Sequence, residues 1–121
     1  MDSCAKLCPM EGILQAVTGR WTPYILWLLE TEGPLRFGEL MGLMPRISSK
    51  VLTQRLRQLE DQGLLLRTQL QTMPLQVSYE LTQEGHELRD ALGSLHTIGQ
   101  SWQARGWTPA AGFPNDVETA N

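Results

Sequence analysis

The order of local patterns along the chain predicts a mostly helical α+β fold. Three observations carry that prediction. Apolar residues recur at helical spacing over five separate stretches. Two short alternating stretches stand side by side between the fourth and the fifth of these. Proline, glycine and serine or threonine punctuate the boundaries. The 121 residues suit one domain, expected over 1–107. A tail rich in Pro, Gly, Ala, Asn and acid is expected to be disordered over 108–121.

The first helix is expected from Pro9 to Val17, because proline suits the first helical position and Gly19 the stop. In the second, Thr22 is expected to cap and Pro23 to fill the first turn. Tyr24, Ile25, Trp27, Leu28 and Leu29 follow, and Gly33-Pro34 ends the run. This helix is apolar on most sides, which predicts a central buried position. Phe37, Leu40, Met41 and Met44 then recur at i, i+3, i+4 and i+7 until Pro45. Pro45-Arg46-Ile47 form a tight turn, and Ser48 or Ser49 caps a fourth helix that repeats Leu52, Leu56 and Leu59 and stops at Gly63. Two short helices joined by a tight turn, the second with a polar outer face, make a helix-turn-helix.

The first strand is expected from Leu64 to Gln71 and the second from Leu75 to Leu81, with Thr72-Met73-Pro74 as the break. Val77, Tyr79 and Leu81 alternate with Gln76, Ser78 and Glu80. A hairpin placed directly after a helix-turn-helix is a wing. Thr82 is expected to cap a last helix reaching Arg105, with the near-heptad stripe Leu88, Leu92, Leu95, Ile98 and Trp102. A helix of that length spans more than about 30 Å, longer than a small core needs. Part of the stripe is therefore assigned to a dimer interface. The whole pattern reads as a winged helix-turn-helix with a two-stranded wing and terminal dimerisation helices.

Composition narrows the class. Hydrophobic residues are 41 % and charged ones 19 %, the balance of a globular chain. No apolar run approaches the roughly 20 residues of a membrane span. The N-terminus lacks a basic segment followed by an apolar one, so a cytoplasmic protein is expected. The net charge of −3 is unevenly spread. Between Pro34 and Tyr79 lie six basic residues (Arg36, Arg46, Lys50, Arg55, Arg57, Arg67) and three acidic ones (Glu39, Glu60, Asp61), leaving −6 for the rest. A basic reading half joined to an acidic assembly half would show this asymmetry.

With Leu52, Leu56 and Leu59 turned inward, Lys50, Gln54 and Arg57 fall on the opposite face of the fourth helix, flanked by Ser49 and Thr53. Those side chains suit the major groove: Arg and Lys bond guanine, Gln bonds adenine, and Thr meets a thymine methyl or a phosphate. Ser48 and Ser49 direct backbone amides at the helix start towards phosphate. Arg36, Arg46 and Arg67 add positive charge nearby. Periodicity alone does not separate such a face from an ordinary solvated one.

An ordered set of residues adds a second argument. It comprises Cys8-Pro9, Gly19-Arg20-Trp21-Thr22, Gly33-Pro34-Leu35-Arg36-Phe37, Glu39-Leu40 and Ile47-Ser48. It continues with Lys50-Val51-Leu52-Thr53-Gln54-Arg55-Leu56, Leu59-Glu60, Gly63-Leu64, Tyr79, Leu81-Thr82 and Gly85. In these the stretch from Cys8 to Trp102 resembles the HxlR family of bacterial winged-helix regulators, relatives of the MarR type. The resemblance implies a homodimer built through terminal helices, a recognition helix from Ser48, a DNA-contacting wing and a palindromic double-stranded DNA operator. One departure stands out. Similar proteins carry a basic residue near the start of the second wing strand, whereas Thr68 to Tyr79 here holds no Lys or Arg and Gln76 stands near that position. Phosphate contact by this wing is expected to be weaker, with less counterion release.

Cys8 matches the family's Cys-Pro motif, so the resemblance implies a possible redox or electrophile sensor. Such chemistry needs a thiolate, which a helix start favours, and Cys4 would serve as the resolving thiol. A plain packing role for Cys8 is the competing reading. The tryptophans are read as structural: Trp21 and Trp27 as core, Trp102 as the end of the stripe, Trp107 as the flank of the tail. His86 and His96 show no partner in the sequence, and Glu84, Glu87 and Asp90 read as a solvated face.

There is no phosphate-cradling glycine loop, no metal-ligand spacing and no Ser/His/Asp set. Neither an enzyme nor a cofactor is expected. Two other readings stay open. One is a winged-helix protein-interaction module, favoured by the acidic total and the uncharged wing. The other is a regulator responding to a small ligand without thiol sensing. A steep loss of DNA affinity with salt would discriminate a DNA binder from the interaction module.

Overall fold

The computed structural model describes residues 8–110. Among these residues six helices and three strands follow one another as α1 (Pro9–Val17), α2 (Thr22–Glu32), β1 (Leu35–Arg36), α3 (Phe37–Leu43), α4 (Ser49–Asp61), β2 (Leu65–Leu70), β3 (Gln76–Leu81), α5 (Gln83–Glu87) and α6 (Arg89–Ala104). The winged helix-turn-helix expected from the sequence is present: α3 and α4 are the helix pair, and β2 and β3 the wing.

α2 starts differently from expectation. Thr22 lies inside the helix and is buried, while Trp21 takes the cap position with φ of 84° in the left-handed region. A tryptophan there is an unusual backbone choice. Packing accounts for it: Trp21 lies against the core, with the Arg20 guanidinium 4.0 Å from its ring centroid. α2 is otherwise the central helix expected. Ile25, Leu26, Leu28 and Leu29 are buried among Leu40, Met44, Val51, Leu52, Leu56 and Leu59.

The sheet has one more strand than expected, in the order β1-β3-β2. β1 pairs antiparallel with β3 through Leu35 opposite Tyr79 and Arg36 opposite Ser78. The wing hairpin runs from Leu65 opposite Leu81 to Leu70 opposite Gln76. Tyr79 and Leu81 point inward as the alternation predicts, with Val77 half-buried.

α4 ends in a Schellman turn. Gly63, at φ of 81°, donates to the Glu60 carbonyl, and Leu64 donates to that of Leu59, both at 3.0 Å. Thr82 ties the sheet to this turn. Its N–H bonds the Leu64 carbonyl at 3.0 Å and its hydroxyl the Gly63 carbonyl at 2.7 Å, while the same oxygen accepts from Gly85 N–H at 3.2 Å. Thr82 thus caps as expected, but the single long helix does not form. Leu88 breaks it by donating to the Gly85 carbonyl three residues back at 3.2 Å, so that α5 seats on the Leu64 turn and α6 leaves from it.

α6 closes on a second Schellman turn. Trp107 donates to the Trp102 carbonyl at 3.0 Å, Gly106 sits at φ of 92°, and the two indoles meet edge to face 5.2 Å apart. Contrary to the sequence reading, Trp27 lies outside the central cluster and stacks on His96 of α6, with centroids 4.9 Å apart. His86 also has a partner. Its Nδ1 lies 3.0 Å from Glu30 Oε1, and Arg89 Nη1 lies 4.0 Å from the other oxygen. Thr108, Pro109 and Ala110 are exposed coil; the rest of the expected tail, and Cys4, lie outside the described residues.

Candidate nucleic-acid interface

Ser48 opens α4 as its N-cap, its hydroxyl accepting from Val51 N–H at 3.1 Å. This bond closes the first turn of the helix, and burial of its apolar side sets which face points outward. Val51, Leu52, Leu56 and Leu59 face the core, and Ser49, Lys50, Thr53, Gln54 and Arg57 are all exposed. The Thr53 hydroxyl donates to the Ser49 carbonyl at 2.8 Å. Its proton is therefore spent on the backbone, which leaves a methyl group and an acceptor oxygen for a ligand. Arg55 is directed elsewhere. Its Nε donates to the Arg20 carbonyl at 3.2 Å and its Nη1 to Gln58 Oε1 at 3.4 Å, clipping α4 to the segment between α1 and α2.

The other candidates lie on the turn before this helix, on the strands and at the start of α3. Arg46 is exposed in the turn before it, and Arg67 is exposed on β2. Between α4 and the wing base lies a hollow of about 350 Å³ lined by Thr53, Arg57, Glu60, Arg67 and Tyr79. Two guanidinium groups from different elements thus share one concavity. Glu60 lines the same hollow, a placement that no spacing within α4 reports, because Arg67 and Tyr79 come from the wing. Arg36 and Gln76 share a second hollow, of about 400 Å³, where the start of α3 meets β3. The Arg36 N–H donates to the Glu39 carboxylate at 2.8 Å, fixing the start of α3.

The remaining candidates lie on the terminal helices. Cys8 is exposed at the N-cap of α1 and lines neither hollow. Leu88 and Leu92 pack partly against the chain's own core. Leu95, Ile98 and Trp102 do not, and Leu95 is 62 % exposed. Met10, Ile13 and Leu14 on α1 are exposed as well. Among the described residues, no helix is long and apolar enough to cross a membrane, and no group of three His, Cys, Asp or Glu side chains is placed to hold a metal ion.

A buried-backed polar helix after a tight turn, followed by a wing, defines a winged helix-turn-helix DNA-binding protein. Comparison with known proteins agrees. The chain belongs to the HxlR-like helix-turn-helix family, whose pattern matches residues 16–106. YtcD of Bacillus subtilis, an HTH-type transcriptional regulator, is 41 % identical over 90 residues, covering 74 % of this chain and 71 % of YtcD. The reduced form of HypR, described as a redox regulator, superposes with a TM-score of 0.74 at 29 % identity, over 79 % of this chain and 94 % of HypR. Diamide-treated YodB of Bacillus subtilis superposes with a TM-score of 0.64 at 30 % identity, over 85 % and 98 % of the two chains. The protein is accordingly a transcriptional regulator of the helix-turn-helix type and not an enzyme.

Proposed function

We propose that the protein acts in the cytoplasm as a homodimer that reads a palindromic operator through the outer face of α4. The observation that carries this reading is the division of α4. One side is fully buried, and the other presents Ser49, Lys50, Thr53, Gln54 and Arg57 together. Lys50, Gln54 and Arg57 supply base-edge contacts, and Ser48, Ser49, Arg36, Arg46, Arg67 and Gln76 supply contacts to phosphate and the wing side. The exposed stripe of Leu95, Ile98 and Trp102 joins two copies. Gln54→Ala and Arg57→Ala each weaken operator binding by about 1–3 kcal/mol and relax preference at one base position. Selected genomic fragments and a gel-shift titration measure this. Unchanged affinity and preference in both variants, at wild-type melting temperature, overturn the assignment of the face.

A second reading concerns control. Cys8 is exposed at the head of α1, beside the apolar residues Met10, Ile13 and Leu14, and HypR is described as a redox regulator. We infer that oxidation of Cys8, with Cys4 as resolving thiol, changes operator affinity. Diamide treatment of wild type and Cys8→Ser, followed by operator titration, tests this: the wild type responds and the variant does not. Equal responses overturn the thiol switch and leave a regulator without thiol sensing.

A further inference from the structure

The hollow between α4 and the base of the wing has two walls. Thr53, Arg57 and Glu60 follow one another at i, i+4 and i+7, one stripe down the side of α4. Arg67 and Tyr79 are cross-strand partners, so their side chains share one face of the sheet. It is the face that turns Leu65 and Leu81 into the core, and Arg67 stands where that face leaves the core.

The polar groups of this hollow are not used up by the fold. Among the described residues, Arg57, Arg67 and Glu60 form no ion pair with one another or with any other side chain. Tyr79, the most buried of the five, is 8 % exposed, yet its hydroxyl makes no hydrogen bond among the described residues. Its oxygen is not sealed from solvent, so it opens into the hollow that the residue lines. A nearly buried phenol without a partner, below two guanidinium groups, is a place for an acceptor from outside.

The donors and acceptors narrow the ligand. Arg57, Arg67 and the Tyr79 hydroxyl donate, which suits an oxyanion. Glu60 only accepts, and so does the Thr53 oxygen, whose proton goes to the Ser49 carbonyl. A ligand that satisfies both sets brings anionic oxygens and a proton of its own. A phosphodiester of DNA has no such proton, and its approach to Glu60 meets like charge. Hydrogen phosphate has both the oxygens and the O–H.

We propose that this hollow binds a small oxyanion that keeps a proton, of the hydrogen-phosphate kind, held by Arg57, Arg67 and the Tyr79 hydroxyl and donating its own O–H to Glu60. The consequence for DNA rests on the reading of α4. Arg57 belongs to the face assigned to the operator, so an occupied hollow withdraws that guanidinium and leaves negative charge beside the reading helix. Bound ligand therefore lowers operator affinity.

The test uses the full chain and inorganic phosphate, with sulfate as the control because it has similar size and shape but no proton at neutral pH. Calorimetric titrations are run at constant ionic strength. The wild type is expected to bind phosphate saturably and about tenfold more tightly than sulfate, the worth of one hydrogen bond to a charged group. Glu60→Gln should remove that preference, because the glutamine amide can donate to sulfate. Arg67→Ala and Tyr79→Phe should each weaken phosphate binding about tenfold. Tyr79→Phe keeps the ring in the core and loses only a hydroxyl without a partner, so its melting curve without phosphate should match the wild type. On a genomic fragment selected by the wild type, phosphate should weaken binding beyond sulfate of equal ionic strength, and Tyr79→Phe should need about tenfold more phosphate for the same effect. Equal binding of the two ions overturns the proposal, as does a phosphate preference that Glu60→Gln leaves intact. Phosphate binding that leaves operator affinity untouched overturns the link to DNA. If the wild type binds phosphate as expected but selects no fragment, the reading of α4 fails and the oxyanion site stands. If operator binding is normal and phosphate does not bind, the reading of α4 stands and the site is wrong.

Discussion

Among the described glycines, Gly85 is the one where an added methyl group would meet the closest contact. A Cβ there would lie 2.6 Å from the Leu64 carbonyl oxygen and 3.0 Å from Leu81 Cδ2. The Leu64 oxygen cannot yield freely, because it already accepts the Thr82 N–H. α5 would have to lift from the turn that ends α4. Gly85→Ala is therefore expected to cost about 1–3 kcal/mol, read as a lower urea midpoint at unchanged m-value. Trp21 shows a limit of sequence reasoning at the same scale. The pair Thr22-Pro23 reads as a cap and first turn, and nothing local says that a tryptophan takes the left-handed cap position instead. The reason is tertiary: Trp21 packs against the core and under Arg20.

At the scale of elements, α4 is the part most legible from sequence. Leu52, Leu56 and Leu59 fix its inner face by spacing alone, and Gly63 marks its end. The cap is a single hydrogen bond from Val51 N–H to the Ser48 hydroxyl, so Ser48→Ala should cost about 1 kcal/mol and Ser48→Gly only a few tenths. Thermal melts of both variants check this, and equal losses would show that the serine acts by something other than capping. Other elements were hidden for physical reasons. β1 has only two residues, too few to show a period, and exists because Leu35 and Arg36 meet β3. The break at Leu88 is invisible in a stripe that continues through it at the right spacing. The approach of Glu30 to His86 joins groups 56 residues apart, which no local pattern reports. The candidate reading face was legible because it lies on one helix; the hollow shared by Arg57 and Arg67 was not, because it needs the wing in place.

For the whole molecule, α2 is the joint between two halves. One side of it buries Ile25, Leu26 and Leu29 against α3 and α4. Another meets the C-terminal helices through the Trp27–His96 stack and the Glu30–His86 contact. α2 thus contacts both the C-terminal helices and the core that backs α4. α6 uses Leu88 and Leu92 on its own chain and leaves Leu95, Ile98 and Trp102 outside. This division determines which variants test the proposed dimer. Leu92→Asp would damage the monomer, since Leu92 packs on the core. Leu95→Asp/Ile98→Asp touches only exposed side chains and should yield a folded monomer, with a melting curve of normal cooperativity. Two linked copies bind two half-sites with an effective concentration that a monomer lacks, worth about 10²–10⁴ in affinity. The double variant should therefore lose operator binding by about that factor while a single half-site binds it as it binds the wild type. Light scattering gives the mass, and titrations on full and half operators give the two affinities. A dimer that survives places the interface elsewhere, with Met10, Ile13 and Leu14 of α1 as the next exposed apolar set. A monomer that holds the full operator as tightly as wild type would show that one copy of α4 and its wing suffice.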